Sequence, residues 1–499
     1  MLEYLKNEAN MTYTENGALT HASTYSACLD LFATVGGMRN AETAELYARF
    51  MRAYCEDPDI AVKILFYARD IRGGLGERRI FRELLVWLAE NHAQSVRKNI
   101  ALIPEYGRFD DLLVLFGTPC EKDAVAVIRT QLDADLKALE TEGEAVFLLG
   151  KWLPSVNASN ADAVRMAKRV AKALGMRDAE YRKMLTALRA RIRIVENNLR
   201  ERDYTFDYEQ LPSKAAFRYR AAFYRNDGER YADFLSRVER GEAVLKTNSV
   251  MPYELLDRYL RMSNWTETHP SYLSEISEEE KRTLNATWAS FADYAGSKNA
   301  LAVVDTSGSM YWMWEPLPAS VALSLGLYFA EHSKGAFRNH FMTFSERPQL
   351  IELKGKTFCD KLEYAASFAE VANTDIEAVF ELVLDTAVKY NVKQEDLPEQ
   401  LIIISDMEFD SCATNASATN FENAKQCYAE YGYRLPQIVF WNVASRRQQL
   451  PVCMNEQGVM LVSGFTPRIF SMISGGKDIT PYAMMMEVIG SPRYAAVAA

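Results

Sequence analysis

The chain has 499 residues, 48% of them hydrophobic and 25% charged, which excludes wholesale disorder. Its 57 Lys and Arg stand against 67 Asp and Glu. The formal net charge of −10 excludes a surface that coats nucleic acid or anionic membrane throughout, though not a local basic site.

From residue 1 to about 290 the sequence reads as almost all helix, with apolar residues at three- and four-residue spacing over 61–70, 79–91, 110–116, 161–174 and 179–199. The first residues lack the apolar core of a signal peptide, and no apolar run in the chain approaches the ~20 residues that span a bilayer. A cytoplasmic protein with no membrane partner is therefore expected. The seven cysteines form no Cys-x-x-Cys pair and the five histidines no His-Glu-x-x-His, so reduced thiols are expected and a zinc enzyme is disfavoured. Short breakers at Gly73-Gly74, Pro104, Gly107 and Gly175 separate the helices, a pattern that suggests a helical-repeat arrangement. The segment Arg69-Asp-Ile-Arg-Gly-Gly-Leu-Gly-Glu-Arg-Arg79 offers three glycines and a following helix start to an anion. It lacks the Gly-Lys-Ser/Thr ending of a P-loop, so no nucleotide cofactor is expected.

The window 165–202 holds 12 Lys and Arg against 4 acids, a local charge of +8. Leu185, Leu188, Ile192, Val195 and Leu199 form an apolar stripe. On one continuous helix Arg182, Arg189, Arg193 and Arg200 would lie within about 20° of a single line. Such a row can track phosphates, and Lys168, Arg169, Lys172 and Lys183 add charge beside it. The same residues would serve equally as a solvated face paired with acids on neighbouring helices. Further on, Phe217-Arg-Tyr-Arg-Ala-Ala-Phe-Tyr-Arg225 interleaves aromatics with arginines, a composition that can stack bases or supply the core side of a helix.

From about residue 297 the pattern changes to short buried strands, at 300–304, 339–344, 350–353, 400–404, 437–443 and 459–462. Helical stretches intervene at 319–332, 359–368, 376–390 and 420–431. Strand–helix alternation predicts a doubly wound α/β domain over 297–499, after a helical module over 1–296. Ligands of such sheets bind beyond the carboxyl ends of the strands. There the chain places Asp305-Thr-Ser-Gly-Ser309, Thr374 before a helix, and Ser405-Asp406. Asp305, Ser307, Ser309, Thr374 and Asp406 make an all-oxygen set suited to a hard divalent cation, Mg²⁺ first, with Mn²⁺ and Ca²⁺ as the other candidates. No base or nucleophile stands beside them to complete an active site. The same Thr-Ser-Gly-Ser would also make an ordinary polar turn.

These five residues resemble, one by one, the metal-ion-dependent adhesion site (MIDAS) of von Willebrand factor A domains. Ala68–Arg79 and Tyr106-Gly-Arg-Phe-Asp-Asp-Leu-Leu113 resemble the TROVE module of Ro RNA-binding proteins. Still closer is an uncharacterised Ro-like family of unknown function, whose pattern is similar to Thr14–Ala18, Cys28–Phe32, Leu211–Ala215, Met251–Glu254 and Ser405–Asp410. The resemblance implies an α plus α/β fold: a HEAT-like helical module of a kind that closes into a ring, then a von Willebrand factor A-type domain. It implies a non-enzymatic RNA-binding protein, a scaffold or chaperone for small structured RNAs or single-stranded RNA ends, with a metal site facing a partner. The alternative is a protein-interaction scaffold whose A domain captures a partner's carboxylate through the metal, with no role in RNA. An accessory subunit of an ATPase and a hydrolase are weaker readings.

Overall fold

The structure is a computed structural model that describes residues 1, 5, 8–141, 143–192, 194–262, 276–311, 314–345, 347–368, 375–411, 418–472 and 479–499. The chain packs into two compact units. One comprises Met1–Ile64, Gly73–Leu75 and Thr247–Tyr494; the other comprises Leu65–Arg72, Gly76–Lys246 and Ala495–Ala499. The division expected at 296/297 separates two sequence patterns, and packing divides the chain elsewhere because residues 1–64 and 247–296 pack into the same unit as the sheet.

A short hairpin, β1 (Met11–Tyr13) and β2 (Leu19–His21), belongs to the sheet unit, in a stretch expected to be almost all helix. The central sheet contains β3 (Ala300–Asp305), β4 (His340–Phe344), β5 (Leu350–Glu352), β6 (Gln400–Ser405), β7 (Gln437–Asn442) and β8 (Val459–Ser463). Their spatial order is β5-β4-β3-β6-β7-β8, with every pair parallel except β4–β5. Every residue of β3, β6 and β8 is buried, which explains why these strands read as unbroken apolar runs rather than as alternating ones.

Successive side chains of a strand point to opposite faces. Leu301, Val303, Leu401, Ile403, Ile438 and Phe440 share a core with Ile376, Phe380, Phe421 and Tyr428 of the helices Ile376–Tyr390 and Asn420–Glu430. On the other face, Val304 meets the helix Pro318–His332 so closely that a Cβ at Gly326 would overlap its side chain. That helix is buried from Pro318 to Ala330, as expected of one enclosed on all sides.

The amino-terminal segment completes this unit. Main-chain bonds join His21 to Leu450 at 3.1 and 2.9 Å, and the helix Ala27–Val35 ends against β8. The Gly36 amide donates to Ser463 Oγ (3.0 Å), and that hydroxyl donates to the Phe32 carbonyl (3.1 Å). A Cβ on Gly36 would lie 2.5 Å from the backbone of Gly464, where no side chain can move aside. Gly36→Ala is therefore expected to cost about 1–3 kcal/mol by overpacking, read from chemical denaturation. Gly228→Ala, with open space around it, should show no such loss.

The second unit is helical. Its longer members are Arg79–Asn91, Glu121–Glu140, Ala161–Ala173, Asp178–Ile192 and Ser213–Glu239, the last kinked at Asp227. The two segments that resemble the TROVE module pair with each other here. Arg69 Nε and Nη2 reach Asp111 Oδ2 (both 2.8 Å), and Arg82 Nε reaches Asp111 Oδ1 (2.6 Å). Asp110 receives Arg78 (2.7 Å) and Arg82 (2.9 Å). A Cβ on Gly107 would overlap Asp111. Arg69 and Arg78 of the glycine-arginine segment are thus committed to internal carboxylates. Among the described residues no helix is long and apolar enough to cross a membrane.

Candidate metal centre and basic cleft

The carboxyl ends of β3 and β6 lie side by side where the winding of the sheet reverses, because Val304 pairs with Ile404. Asp305, wholly buried, follows directly. Its Oδ1 accepts the Ser307 amide (2.8 Å) and its Oδ2 accepts the Ser405 hydroxyl (2.6 Å). Ser307 Oγ and Ser309 Oγ are 3.1 Å apart. Burial pushes the Asp305 carboxyl above the usual range, and the charge of nearby Asp406 pushes it further.

Asp406 follows β6 and is also buried. Its Oδ1 accepts the Glu408 amide (3.2 Å), and Met407 between them adopts φ +67°, the left-handed region that side chains disfavour. Among the described residues no Lys or Arg pairs with Asp305, so the buried carboxylate lacks a protein cation; the Ser405 and Ser307 hydroxyls engage it, and that of Ser309 lies beside Ser307. Such a set fits a hard cation. Thr374 lies outside the described residues. Its neighbour Asp375 caps the helix Ile376–Tyr390 by accepting the Ala378 amide (3.0 Å).

Three residues not foreseen as parts of this site adjoin it. Arg446, beyond the end of β7, donates to Asp406 Oδ2 (2.8 Å) and pairs with Glu15 (2.8 Å). Glu408 Oε2 accepts the Glu15 amide (2.6 Å). Arg446 stands at the same sheet edge as Asp305, a position the strand pattern marks. Glu15 lies in the hairpin loop, which no periodicity signals.

In the helical unit the expected row of arginines does not form. The helix foreseen over 179–199 ends at Ile192 and a second begins at Val195, with Ile194 extended (φ −66°, ψ 141°) and Asn197 Nδ2 donating to the Arg189 carbonyl (3.2 Å). Val195 is buried like Leu185 and Leu188, so the apolar stripe persists across a break in the helix. Arg193 lies outside the described residues. Arg189 turns inward, donating to the carbonyls of Gly150 (2.8 Å) and Leu153 (2.7 Å) and to Ser155 Oγ (2.6 Å). It holds the end of the helix Leu149–Trp152, and burial draws its guanidinium below its ordinary pKa.

The break nevertheless gathers Arg182, Arg189 and Arg200 around one open cleft of about 990 Å³, with Asn197, Asn198 and Phe206 among its other lining residues. Arg182 is exposed and has no ionic partner among the described residues; Arg200 is exposed and pairs with Glu201 (2.8 Å). Asp203, also at the cleft, is engaged by the Thr205 amide (2.9 Å) and hydroxyl (2.6 Å), which hold its carboxyl low. Lys172 and Lys183 are exposed without an ionic partner among the described residues. Lys168 approaches Asp178 (3.9 Å), and Arg169 pairs with Glu121 (2.5 Å). These four do not line the cleft. In the aromatic–arginine segment, Phe223 is core, packed against Phe206, Tyr208 and Tyr231.

The family profile of "Domain of unknown function (DUF2828)" matches residues 14–117 and 123–298, more than half of the chain. The chain belongs to the DUF2828 family. In this DUF2828 member, the profile of "Domain of unknown function (DUF7788)" matches residues 299–484. The chain is similar to "Uncharacterized protein L728" of Acanthamoeba polyphaga mimivirus, at 27% identity over 96% of this chain and 87% of that one. Among solved structures it is similar to the RO (RSR) protein of Deinococcus radiodurans, at 15% identity and a TM-score of 0.42, over 94% of this chain and 100% of that one.

Proposed function

We propose that this chain is a non-enzymatic RNA-binding protein, a scaffold or chaperone for small structured RNAs or single-stranded RNA ends. The observation that carries this reading is the cleft, where Arg182 and Arg200 face solvent beside amide side chains and the half-buried Phe206. Guanidinium groups suit phosphates, amides suit base edges, and an aromatic face suits an unstacked base. Lys172 and Lys183 extend the positive surface outside the cleft. The motif order adds the view that the sheet unit is of the von Willebrand factor A type and the helical part of the Ro-module type.

On this reading Asp305, Ser307, Ser309 and Asp406, with Thr374, hold a divalent cation, Mg²⁺ by preference. The cation would offer an open position to a carboxylate or phosphate of a partner. The hydroxyl cluster around Asp305 favours the second reading, a protein-interaction scaffold working through the metal alone.

Fluorescence anisotropy with a labelled single-stranded RNA and an RNA hairpin tests the first reading. About three phosphate contacts should weaken binding of the single strand roughly tenfold to twentyfold between about 50 and about 200 mM salt. No binding of either RNA at the lower salt would overturn the RNA reading and leave the second.

A further inference from the structure

Arg446 is where a guanidinium already occupies part of the place a cation would take. Its side chain is 15% exposed, against 1% for Asp406 and 42% for Glu15. One Nη serves each carboxylate, both at 2.8 Å, and Nε is buried with no hydrogen-bond partner among the described residues. Arginine keeps its charge at any working pH, so it cannot yield to a metal by losing a proton. It can yield only by moving.

The partner that would receive it is held in position. The Thr14 hydroxyl donates to the Phe409 carbonyl (2.5 Å), the Glu15 amide to Glu408 Oε2 (2.6 Å) and Asn16 Nδ2 to the Glu408 carbonyl (2.7 Å). The turn bearing Glu15 is therefore pinned to the very loop that follows Asp406.

We infer that Arg446 sets the affinity of the metal site by standing in for the cation at Asp406, with Glu15 as the anchor to which it withdraws when a divalent ion binds. This rests on the metal reading proposed above. Like charges repel across a few ångströms of buried space, so Arg446 left on Asp406 opposes the ion, while Glu15 lowers the cost of its departure. Without the arginine the site would hold the ion more tightly; with it, loading depends on how much free ion is present.

The test is calorimetry of the whole chain with Mn²⁺ as the probe, and Asp305→Asn identifies the heat that belongs to this site. Arg446→Gln should bind Mn²⁺ about tenfold more tightly than the parent, and Arg446→Lys, which keeps the charge, should stay close to it. Glu15→Gln should bind about threefold more weakly, and should have no effect once Arg446 is glutamine.

Equal affinity in the parent and Arg446→Gln would overturn the inference while leaving the metal site standing. Equal weakening by Glu15→Gln in both backgrounds would overturn the anchor role, because Glu15 would then act on the ion directly. Heat that Asp305→Asn does not change would overturn the metal reading itself and this inference with it. Glu15 is partly exposed, so its variant reports on the proposal even where an Arg446 variant folds poorly.

Discussion

Asp111→Asn is expected to destabilise the helical unit by about 3–5 kcal/mol, the usual cost of leaving a buried charge without its partner. The Asp111 side chain has no exposed surface and that of Arg69 has 2%, so water cannot replace what is lost. The same carboxylate also holds Arg82 (2.6 Å) and accepts the Arg108 amide (2.9 Å), so the substitution affects the start of the 3₁₀ helix Phe109–Leu115 as well. Urea denaturation followed by circular dichroism should show an earlier transition. The double change Arg69→Met with Asp111→Leu should cost less than Asp111→Asn, because it leaves neither member of the pair as a lone buried charge. A loss below about 1 kcal/mol for Asp111→Asn would show that this network does not hold the unit together.

Arg182→Glu combined with Arg200→Glu is expected to weaken single-stranded RNA binding roughly a hundredfold and to flatten the salt dependence by about 1.4 in its logarithmic slope, the share of two phosphate contacts. Both side chains are exposed and neither supports the core, so the melting temperature should stay close to that of the parent. Arg189→Ala should behave in the opposite way. It removes three hydrogen bonds from a charged donor and leaves the Gly150 and Leu153 carbonyls unpaired, at a cost of about 1–3 kcal/mol in stability. Anisotropy and thermal melting on the same samples separate the two effects. Unchanged affinity in the double charge reversal would remove the cleft from the RNA reading.

The sheet unit was legible because its strands are short, apolar and buried on both faces. The run 400–404 needs only Ser405 added to become β6, and the run 300–304 only Asp305 to become β3. The helical unit was legible in its periodicity and less so in its breaks. A stripe such as Leu185, Leu188, Ile192, Val195 and Leu199 keeps its spacing whether or not the helix is interrupted, and no glycine or proline marks the break at Ile194. Arginine carries a second ambiguity. Arg182 and Arg189 look alike in a charge pattern, yet one faces solvent and the other caps a helix. At the sheet edge, Asp305, Ser307 and Ser309 came together as their spacing implied. Arg446 and Glu15 escaped notice because the charge that reaches Asp406 comes from a later strand end, and its second partner lies hundreds of residues earlier.

The union of the first 64 residues with a sheet built from the last 200 or so has a consequence for synthesis. Ser463, which receives the Gly36 amide, leaves the ribosome 427 residues later. At about 5–20 residues per second that interval is roughly 20–85 s. Throughout it the apolar side of Ala27–Val35 waits for its strand, while residues 76–246, which make up most of the helical unit, emerge in one piece. The middle of the polypeptide can therefore settle first, and its two flanks join around the sheet only after nearly the whole chain has been made.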